Sequence, residues 1–139
     1  MAFGEIVYTE DEVTKLLPLK LRSGLPPTDP TNVVLDWGED GMEISFSAPD
    51  TIIEDQRLCT VAGALILFKA QYPPTNISDG TYIANLTAEE IEDLSEDPFI
   101  FTGAAPEVDN YIWIIPYSDH EAFNDRTANI YKLDAESGV

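Results

Sequence analysis

Short strand-forming runs and closely spaced turn signals divide the chain from Asn32 to Leu133. Met42–Ser47 alternates apolar and polar residues with a period of two, which is the pattern of a strand with one buried face. Glu39–Gly41 and Ser78–Gly80 are strong tight-turn signals. No amphipathic helix long enough for a crossover separates the runs, which disfavours parallel α/β architecture. The sequence therefore predicts an antiparallel, all-β domain.

The turn signals delimit about seven strands, as in an immunoglobulin-like β-sandwich. Val61–Ala70 is the most apolar run and suits a central strand covered on both faces. Thr51–Thr60 is polar and acidic without a clear period, so we predict a loop there. Thr87–Glu90 has the form of a capping box and predicts a helical turn over Ala88–Leu94. The predicted strands are Asn32–Trp37, Met42–Ser47, Val61–Ala70, Thr81–Asn85, Phe99–Thr102, Asn110–Ser118 and Thr127–Leu133.

Large apolar side chains at alternating positions of these strands are the expected core. Tyr111, Trp113 and Ile115 share one face of the sixth predicted strand, and we expect that face to enter the core. Tyr111 stands where a tyrosine corner would begin, with its hydroxyl bonded back to the backbone. The predicted core residues are Val34, Ile44, Phe46, Leu65, Leu67, Tyr111, Trp113 and Ile115.

Residues 1–30 have a helical and proline-rich sequence pattern, unlike the strand pattern of the rest of the chain. A capping box at Thr9–Glu12 and apolar residues at helical spacing predict one or two helical turns over Glu10–Leu17. Gly24–Pro30 predicts a stiff, extended linker. We therefore divide the chain into an anchoring arm with its linker (1–30), a sandwich (31–133) and a frayed tail (134–139). The apolar residues expected to anchor the arm are Phe3, Ile6, Val7, Leu16, Leu17, Leu19, Leu21 and Leu25.

The charge is strongly negative and unevenly distributed. The chain holds 26 acidic and 7 basic residues, a net charge of −19. Residues 31–139 alone hold 21 acidic and 4 basic residues, a net charge of −17. Such a surface repels phosphate backbones, so we expect no nucleic-acid partner. No apolar run approaches the ~20 residues that span a bilayer and no signal peptide is evident, so we expect no membrane partner.

The residues that usually carry chemistry are scarce. His120 and Cys59 are the only histidine and cysteine, and together they supply neither a catalytic triad nor a zinc ligand set. Asp36–Gly41 superficially resembles a calcium loop, but its twelfth position is Ser47 where a glutamate is needed. The acidic stretch Glu89–Asp97 indicates weak, unspecific cation binding at most. We therefore predict that the protein is not an enzyme and has no cofactor or specific metal site.

A series of motifs along residues 31–133 has the order and spacing of a known family. They are Pro30–Val34, Ile44–Pro49 with Phe46 at the position of a tryptophan, Phe68-Lys69, Tyr72-Pro73, Asp79–Thr81, Pro98–Gly103 and Tyr111–Ser118. Together they resemble a fibronectin type III domain of the divergent kind found in bacteriophage tail and other virion structural proteins.

The resemblance implies a non-enzymatic structural protein of a tailed-phage virion. We expect a surface module, either a capsid decoration or a tail- or baseplate-associated domain, that the arm anchors to the particle. The expected partners are other virion structural proteins and further copies of the chain, and contact with a host surface is a further expectation. The alternative is a bacterial surface or carbohydrate-binding accessory module, in which Tyr72, Tyr82 and Tyr117 would form platforms for sugars.

Overall fold

A computed structural model describes residues 26–49, 52–54, 57–119 and 122–136, including the backbone but not the side chains of 52–54 and 57–59. The eight residues predicted to anchor the arm, from Phe3 to Leu25, lie outside the described residues. So do the helix predicted over Glu10–Leu17 and His120. The elements are β1 Thr31–Trp37, β2 Met42–Ser47, β3 Ile52–Glu54, β4 Arg57–Cys59, β5 Val61–Ala70, β6 Thr81–Thr87, α1 Ala88–Glu92, β7 Phe99–Phe101, β8 Asn110–Ser118 and β9 Ile130–Leu133.

Two antiparallel sheets form the body of the protein. One has the strand order β1-β2-β7 and the other has the order β6-β5-β8-β9. A short 3-10 turn, Thr127–Asn129, leads into β9. The side chains between the sheets form one apolar cluster. The predicted all-β sandwich is confirmed at this level.

A small hairpin of β3 and β4 lies between β2 and β5. Ile52 pairs with Cys59 and Ile53 with Leu58, so the apolar residues stand opposite one another at the open end. The prediction of a structureless loop over Thr51–Thr60 was wrong. Each of the two strands is only three residues long, which is too short for a period of two to become visible in the sequence.

An irregularity near the start of β1 changes which of its side chains enter the core. Asn32 has a φ of +53°, and the pairing with β2 shifts between Thr31 and Val34. Val33 and Leu35 therefore pack against the cluster between the sheets, whereas 52% of Val34 is exposed. The prediction of Val34 as a core residue was wrong because the shift cannot be read from two adjacent valines.

The helical turn after β6 forms as the capping box predicts. The Thr87 hydroxyl accepts a hydrogen bond from the Glu90 backbone N–H (3.2 Å), and the Glu90 carboxylate accepts one from the Thr87 backbone N–H (2.9 Å). The helix ends at Glu92, with Asp93 as its C-cap. Ile91 and Leu94 turn into the core, which fixes α1 against the sandwich.

The four-stranded sheet is apolar on both faces. Its inner face contributes to the cluster between the sheets, which we call the inner core, and its outer face carries a second cluster, which we call the outer cluster. The outer cluster consists of buried Leu67, Trp113 and Ile115 with half-buried Leu65 and Ile130 around them. The buried members of the inner core are Met42, Ile44, Phe46, Ala64, Ile66, Leu86, Ile91, Leu94, Ile112 and Ile114.

This division corrects the prediction of a single core. Trp113 and Ile115 were expected to join Ile44 and Phe46, but successive side chains of a strand point to opposite faces. Ile112 and Ile114 take the inner face of β8 instead. Both rows of β8 are apolar, so the alternation that normally marks the core face is missing.

Tyr111 lies half-buried at the start of β8, paired with Lys69 and Lys132 on the neighbouring strands. Within the part of the chain that the structure describes, its hydroxyl makes no hydrogen bond to the backbone. The predicted tyrosine corner is not formed, because this ring belongs to the outer face.

The segments before β1 and after β9 are joined to the sandwich. Pro27 and Pro30 are buried, and Asp29 bonds to the loop between β8 and β9.

Beyond β9, the Ala135 N–H donates to the Asp109 carboxylate (3.1 Å) and the Glu136 N–H to the Pro106 carbonyl (2.9 Å). The described part of the predicted linker is therefore not a free spacer, and the tail is held as far as residue 136. The described part of the chain has no helix of the length and apolarity needed to cross a membrane.

Candidate binding surfaces

Asp29 is the centre of a polar cluster that fixes the entry of the chain into the sandwich. One of its carboxylate oxygens accepts hydrogen bonds from the side-chain amides of Asn124 (3.0 Å) and Asn129 (3.2 Å), and the other pairs with the Arg126 guanidinium (2.5 Å). Asn124 is 4% exposed and Asn129 is 1% exposed. The Asn124 amide, followed by those of Asn129 and the Arg126 charge, lowers the pKa of Asp29. Asp29 is therefore an ionised acceptor for two buried amides.

The loop that joins β8 to β9 folds back over the outer cluster. The Trp113 indole N–H donates a hydrogen bond to the Arg126 carbonyl (3.1 Å). Asp125 lies close enough to Tyr82 on β6 that burial and the negative charge of Asp125 together raise the pKa of Tyr82. The loop thus links both edges of the sheet, and Asp29 holds it in place from the other side.

A cleft of about 520 Å³ opens between this loop and the segment before β1. Its apolar wall is formed by Pro26, Pro27 and the exposed ring of Phe123, while Asp125 and Arg126 supply polar groups. Arg126 is paired with Asp29, and Asp125 forms no ion pair with the side chains that the structure describes. The cleft therefore combines an aromatic surface with a carboxylate.

A tyrosine crosses the outer face beside the loop. The Tyr117 hydroxyl donates to the Asn85 side-chain oxygen on β6 (2.6 Å), and the Tyr117 ring lies 5.5 Å from that of Phe123. This path passes over Gly63, where an added Cβ would lie 2.7 Å from the Tyr117 oxygen. A glycine is required there because an added Cβ would also lie 2.4 Å from the Leu86 backbone carbonyl oxygen, so both the tyrosine and the neighbouring strand occupy the space of a side chain.

The connection between β5 and β6 is a rigid hairpin built around Asp79. Its carboxylate binds the Lys69 ammonium (2.7 Å) and accepts hydrogen bonds from the Thr75 backbone N–H (2.8 Å) and hydroxyl (2.9 Å). The bond from Lys69, followed by the two from Thr75, lowers the pKa of Asp79 to about 2. The following residue, Gly80, has a φ of +150°, which favours glycine.

Two of the tyrosines suggested as sugar platforms, Tyr72 and Tyr82, lie on the hairpin between β5 and β6, and the third, Tyr117, lies on β8. Tyr72 is 63% exposed, and Tyr82 is 46% exposed while its hydroxyl donates to the Ile77 carbonyl (2.6 Å). Tyr117 is only half-buried, but its hydroxyl is committed to Asn85. Tyr72, Ile77 and Tyr82 are the exposed apolar residues of the rigid hairpin.

A second groove, of about 340 Å³, lies between α1 and β7, and we call it the acidic groove. Buried Leu86 and Leu94 and half-buried Phe99 form its apolar floor, and exposed Glu90, Asp93 and Asp97 form its rim. Among the side chains that the structure describes, the three cationic ones belong to Lys69, Arg126 and Lys132, and all three form ion pairs with aspartates elsewhere. The rim is therefore not neutralised by any cation that the structure describes.

Within residues 26–49, 57–119 and 122–136, no group of three or more His, Cys, Asp or Glu side chains is arranged to hold a metal ion. Sequence reasoning missed Asp29, Asn124 and Asn129, which the fold brings together from distant segments. The available signal was weak: two asparagines flank Arg126 in a loop between strands, and Asp29 stands between prolines.

The chain was also compared with known proteins. No family model, no curated protein and no solved structure matches it.

Proposed function

We propose that the chain is a non-enzymatic structural protein of a tailed-phage virion, an immunoglobulin-like module of the fibronectin type III kind that its N-terminal arm anchors to the particle. The observation that carries the proposal is the join at Asp29. A carboxylate with two buried amide donors and an ion pair fastens residues 26–30 to the sandwich, so that a force on the arm reaches the body directly. Such a join suits a domain that is held by one end.

The arrangement of the strands supports the immunoglobulin-like part of the proposal. Seven strands divide into a sheet of three and a sheet of four, with antiparallel pairing throughout. β1, β2 and β7 face β6, β5, β8 and β9 across one apolar core. The chain changes sheet between β2 and β5, between β6 and β7, and between β7 and β8, as in Greek-key sandwiches of this class.

The uneven distribution of charge along the chain supports a sandwich that projects from the particle and an arm that binds other proteins. Residues 31–139 have a net charge of −17, whereas residues 1–25 hold three of the seven basic residues of the chain. A body whose described cations are all paired with aspartates keeps copies apart and soluble. The apolar arm, whose residues 1–25 hold three basic and four acidic residues, is then the part suited to contacts with other proteins.

The test is to look for the chain in particles whose genome encodes it. We expect mass spectrometry of density-purified particles to find many copies, and immunogold labelling to place them on the capsid or tail surface. The double variant Leu16→Asp/Leu17→Asp in the arm should be absent from particles, while the matched double variant Glu39→Lys/Glu107→Lys on the exposed surface of the sandwich should be incorporated normally. Recovery of the wild-type chain only in the soluble lysate would overturn the proposal.

A bacterial surface or carbohydrate-binding accessory module is the second candidate. The exposed rings of Tyr72 and Tyr82 on the rigid hairpin favour it, because aromatic faces are common sugar-binding surfaces. A glycan array should then show selective binding that the Tyr72→Ala/Tyr82→Ala variant loses. An array without selective binding removes this candidate.

A further inference from the structure

The acidic groove has the features of a docking site for an extended segment. It borders β7, which is the last strand of its sheet: β7 pairs with β2 and, within the described ranges, with no other strand. An unpaired strand edge offers backbone N–H and C=O groups to an incoming strand. Ile100 at the centre of β7 is an exposed apolar residue, which adds side-chain area to this edge.

The charge around the groove indicates what kind of segment fits. From Thr87 to Ile100 the sequence has six acidic residues and no basic residue. Asp93 lies at the C-terminal end of α1, where the negative end of the helix dipole adds to its charge. Because the described cations are paired elsewhere, this negative potential remains available to a ligand. The apolar floor together with the acidic rim requires a segment that is both apolar and basic.

One segment of this chain has that pattern. Lys15–Arg22 contains three basic and four leucine residues, and Leu19–Arg22 alternates leucine with a basic residue. In an extended conformation, alternate side chains point to opposite sides. Both leucines of Leu19–Arg22 would then face the floor. Lys20 and Arg22 would lie on the other side of the segment, where their long side chains can reach the carboxylates of the rim.

We propose that residues 19–22 of one copy dock in the acidic groove of a second copy, alongside β7, and so link copies of the chain. The inference rests on the part of the proposed function in which the arm anchors the sandwich, and it names the surface that the arm grips. It does not require that the assembly be a virion.

A second copy is favoured over the same copy by where the chain enters the sandwich. Residues 26–30 lead into the start of β1 beside the loop between β8 and β9, because Asp29 bonds to Asn124, Arg126 and Asn129. The groove lies at the opposite edge, between β6 and β7. From Arg22 to residue 26 an extended chain reaches at most ~14 Å. A segment alongside β7 lies three strand spacings from β1, roughly 14 Å. The straight line alone therefore uses this whole length and a path around the body exceeds it, whereas a neighbouring copy can be reached directly.

Charge reversal in the full chain tests the link. Sedimentation equilibrium over a range of concentrations measures self-association of the wild type, of the arm variant Lys20→Glu/Arg22→Glu and of the groove variant Asp93→Lys/Asp97→Lys. We expect the wild type to self-associate and each variant alone to do so at least about tenfold more weakly, since two attractive charge pairs become repulsive. A mixture of the two variants should associate again, because the reversed arm of one fits the reversed groove of the other.

The control is Glu39→Lys/Glu107→Lys, which changes the net charge as the groove variant does at exposed positions away from the groove. It should leave self-association unchanged, and circular dichroism should show that every variant is folded. A monomeric wild type, an equal effect of the control, or a mixture of folded variants that stays monomeric would each overturn the inference. A chain that is found in particles but is monomeric in solution refutes only this inference, whereas one that self-associates as expected but is absent from particles refutes only the virion proposal.

Discussion

The inner core and the outer cluster are two apolar regions that differ in how they are closed. The inner core lies between two sheets, and its closing surfaces are apolar strands. The outer cluster has a sheet on one side only. The loop between β8 and β9 lies over it, with the Arg126 carbonyl bonded to Trp113, and the Asp29 carboxylate holds that loop. At the hairpin end of the same face stands the ion pair of Lys69 and Asp79.

The inner core and the outer cluster are buried to a similar extent, but different interactions stabilise them. The stability that the inner core contributes depends on the apolar area removed from water. This contribution does not change with pH. Burial of Trp113 depends in addition on polar and charged groups that keep the loop in place. We therefore expect mutations of large outer side chains to resemble core mutations, and acid to act on the outer face first.

The largest expected effect is that of Trp113→Ala. Trp113 is 2% exposed and is the largest side chain of the outer cluster, so its removal should lower the free energy of unfolding by ~3–5 kcal/mol. Chemical denaturation followed by circular dichroism measures this change. The control is Tyr72→Ala, an exposed ring whose removal should change stability by no more than ~0.5 kcal/mol. A loss of less than about 1 kcal/mol at Trp113 would show that the outer cluster is not a second core.

The next largest effect is expected from Asp29→Ala. The buried amides of Asn124 and Asn129 lose their acceptor, which should lower the free energy of unfolding by ~1–3 kcal/mol. The exposed pair with Arg126 should add little to this. Because the pKa of Asp29 is lowered in the folded protein, its contribution is present above pH ~4 and decreases at lower pH. Asp125→Ala in the same loop is the matched control, and equal losses for both variants would contradict the role of Asp29.

A smaller and more direct comparison uses two neighbours on opposite faces of β8. Ile114→Val removes one methylene from the inner core and Ile115→Val removes one from the outer cluster. Both residues are buried, so each variant should lose ~0.5–1.5 kcal/mol in the same denaturation experiment. A normal loss at Ile114 with none at Ile115 would mean that the loop covers the outer face too loosely to pack against it.

The smallest expected effect is a difference in pH dependence. The pKa of Asp79 is about 2 in the folded protein against an ordinary value of 3.8, so the bonds of this carboxylate stabilise the fold above pH ~4 and are lost as the pH falls toward 2. Asp79→Asn should therefore melt at a lower temperature than wild type at pH 7, and the two melting temperatures should converge between pH 4 and pH 2. A constant difference across that range would rule out titration of Asp79 as the cause.

The sequence was sufficient to locate the strands. It was not sufficient to tell which face of the sheet each row of side chains occupies. Alternation and turn residues located Met42–Ser47 and Asn110–Ser118 with the bounds that the structure gives them. The capping box located α1. In β8, however, both rows of side chains are apolar, and no local rule tells which row faces the second sheet. That choice depends on long-range packing.

The polar clusters were beyond prediction for a related reason. Asp29 meets Asn124 and Asn129 only because β1 and β9 lie near each other in the folded chain. By contrast, Asp79 and Lys69 lie on the two sides of one hairpin, and the turn of that hairpin was predicted from Ser78–Gly80. Proximity between residues that are close in the sequence can be inferred from a turn signal. Proximity between residues about 100 positions apart cannot, however strong their hydrogen bonds are.

The path of Tyr117 over Gly63 has a consequence for how this protein can change over time. A residue larger than glycine at position 63 would collide with the tyrosine ring, and a smaller residue at position 117 would leave the Asn85 oxygen without its donor and Gly63 uncovered. Loss of the tyrosine would not make room at position 63, because an added Cβ there would still lie 2.4 Å from the Leu86 backbone carbonyl oxygen. Distant homologues should therefore retain Gly63 even where Tyr117 has been replaced.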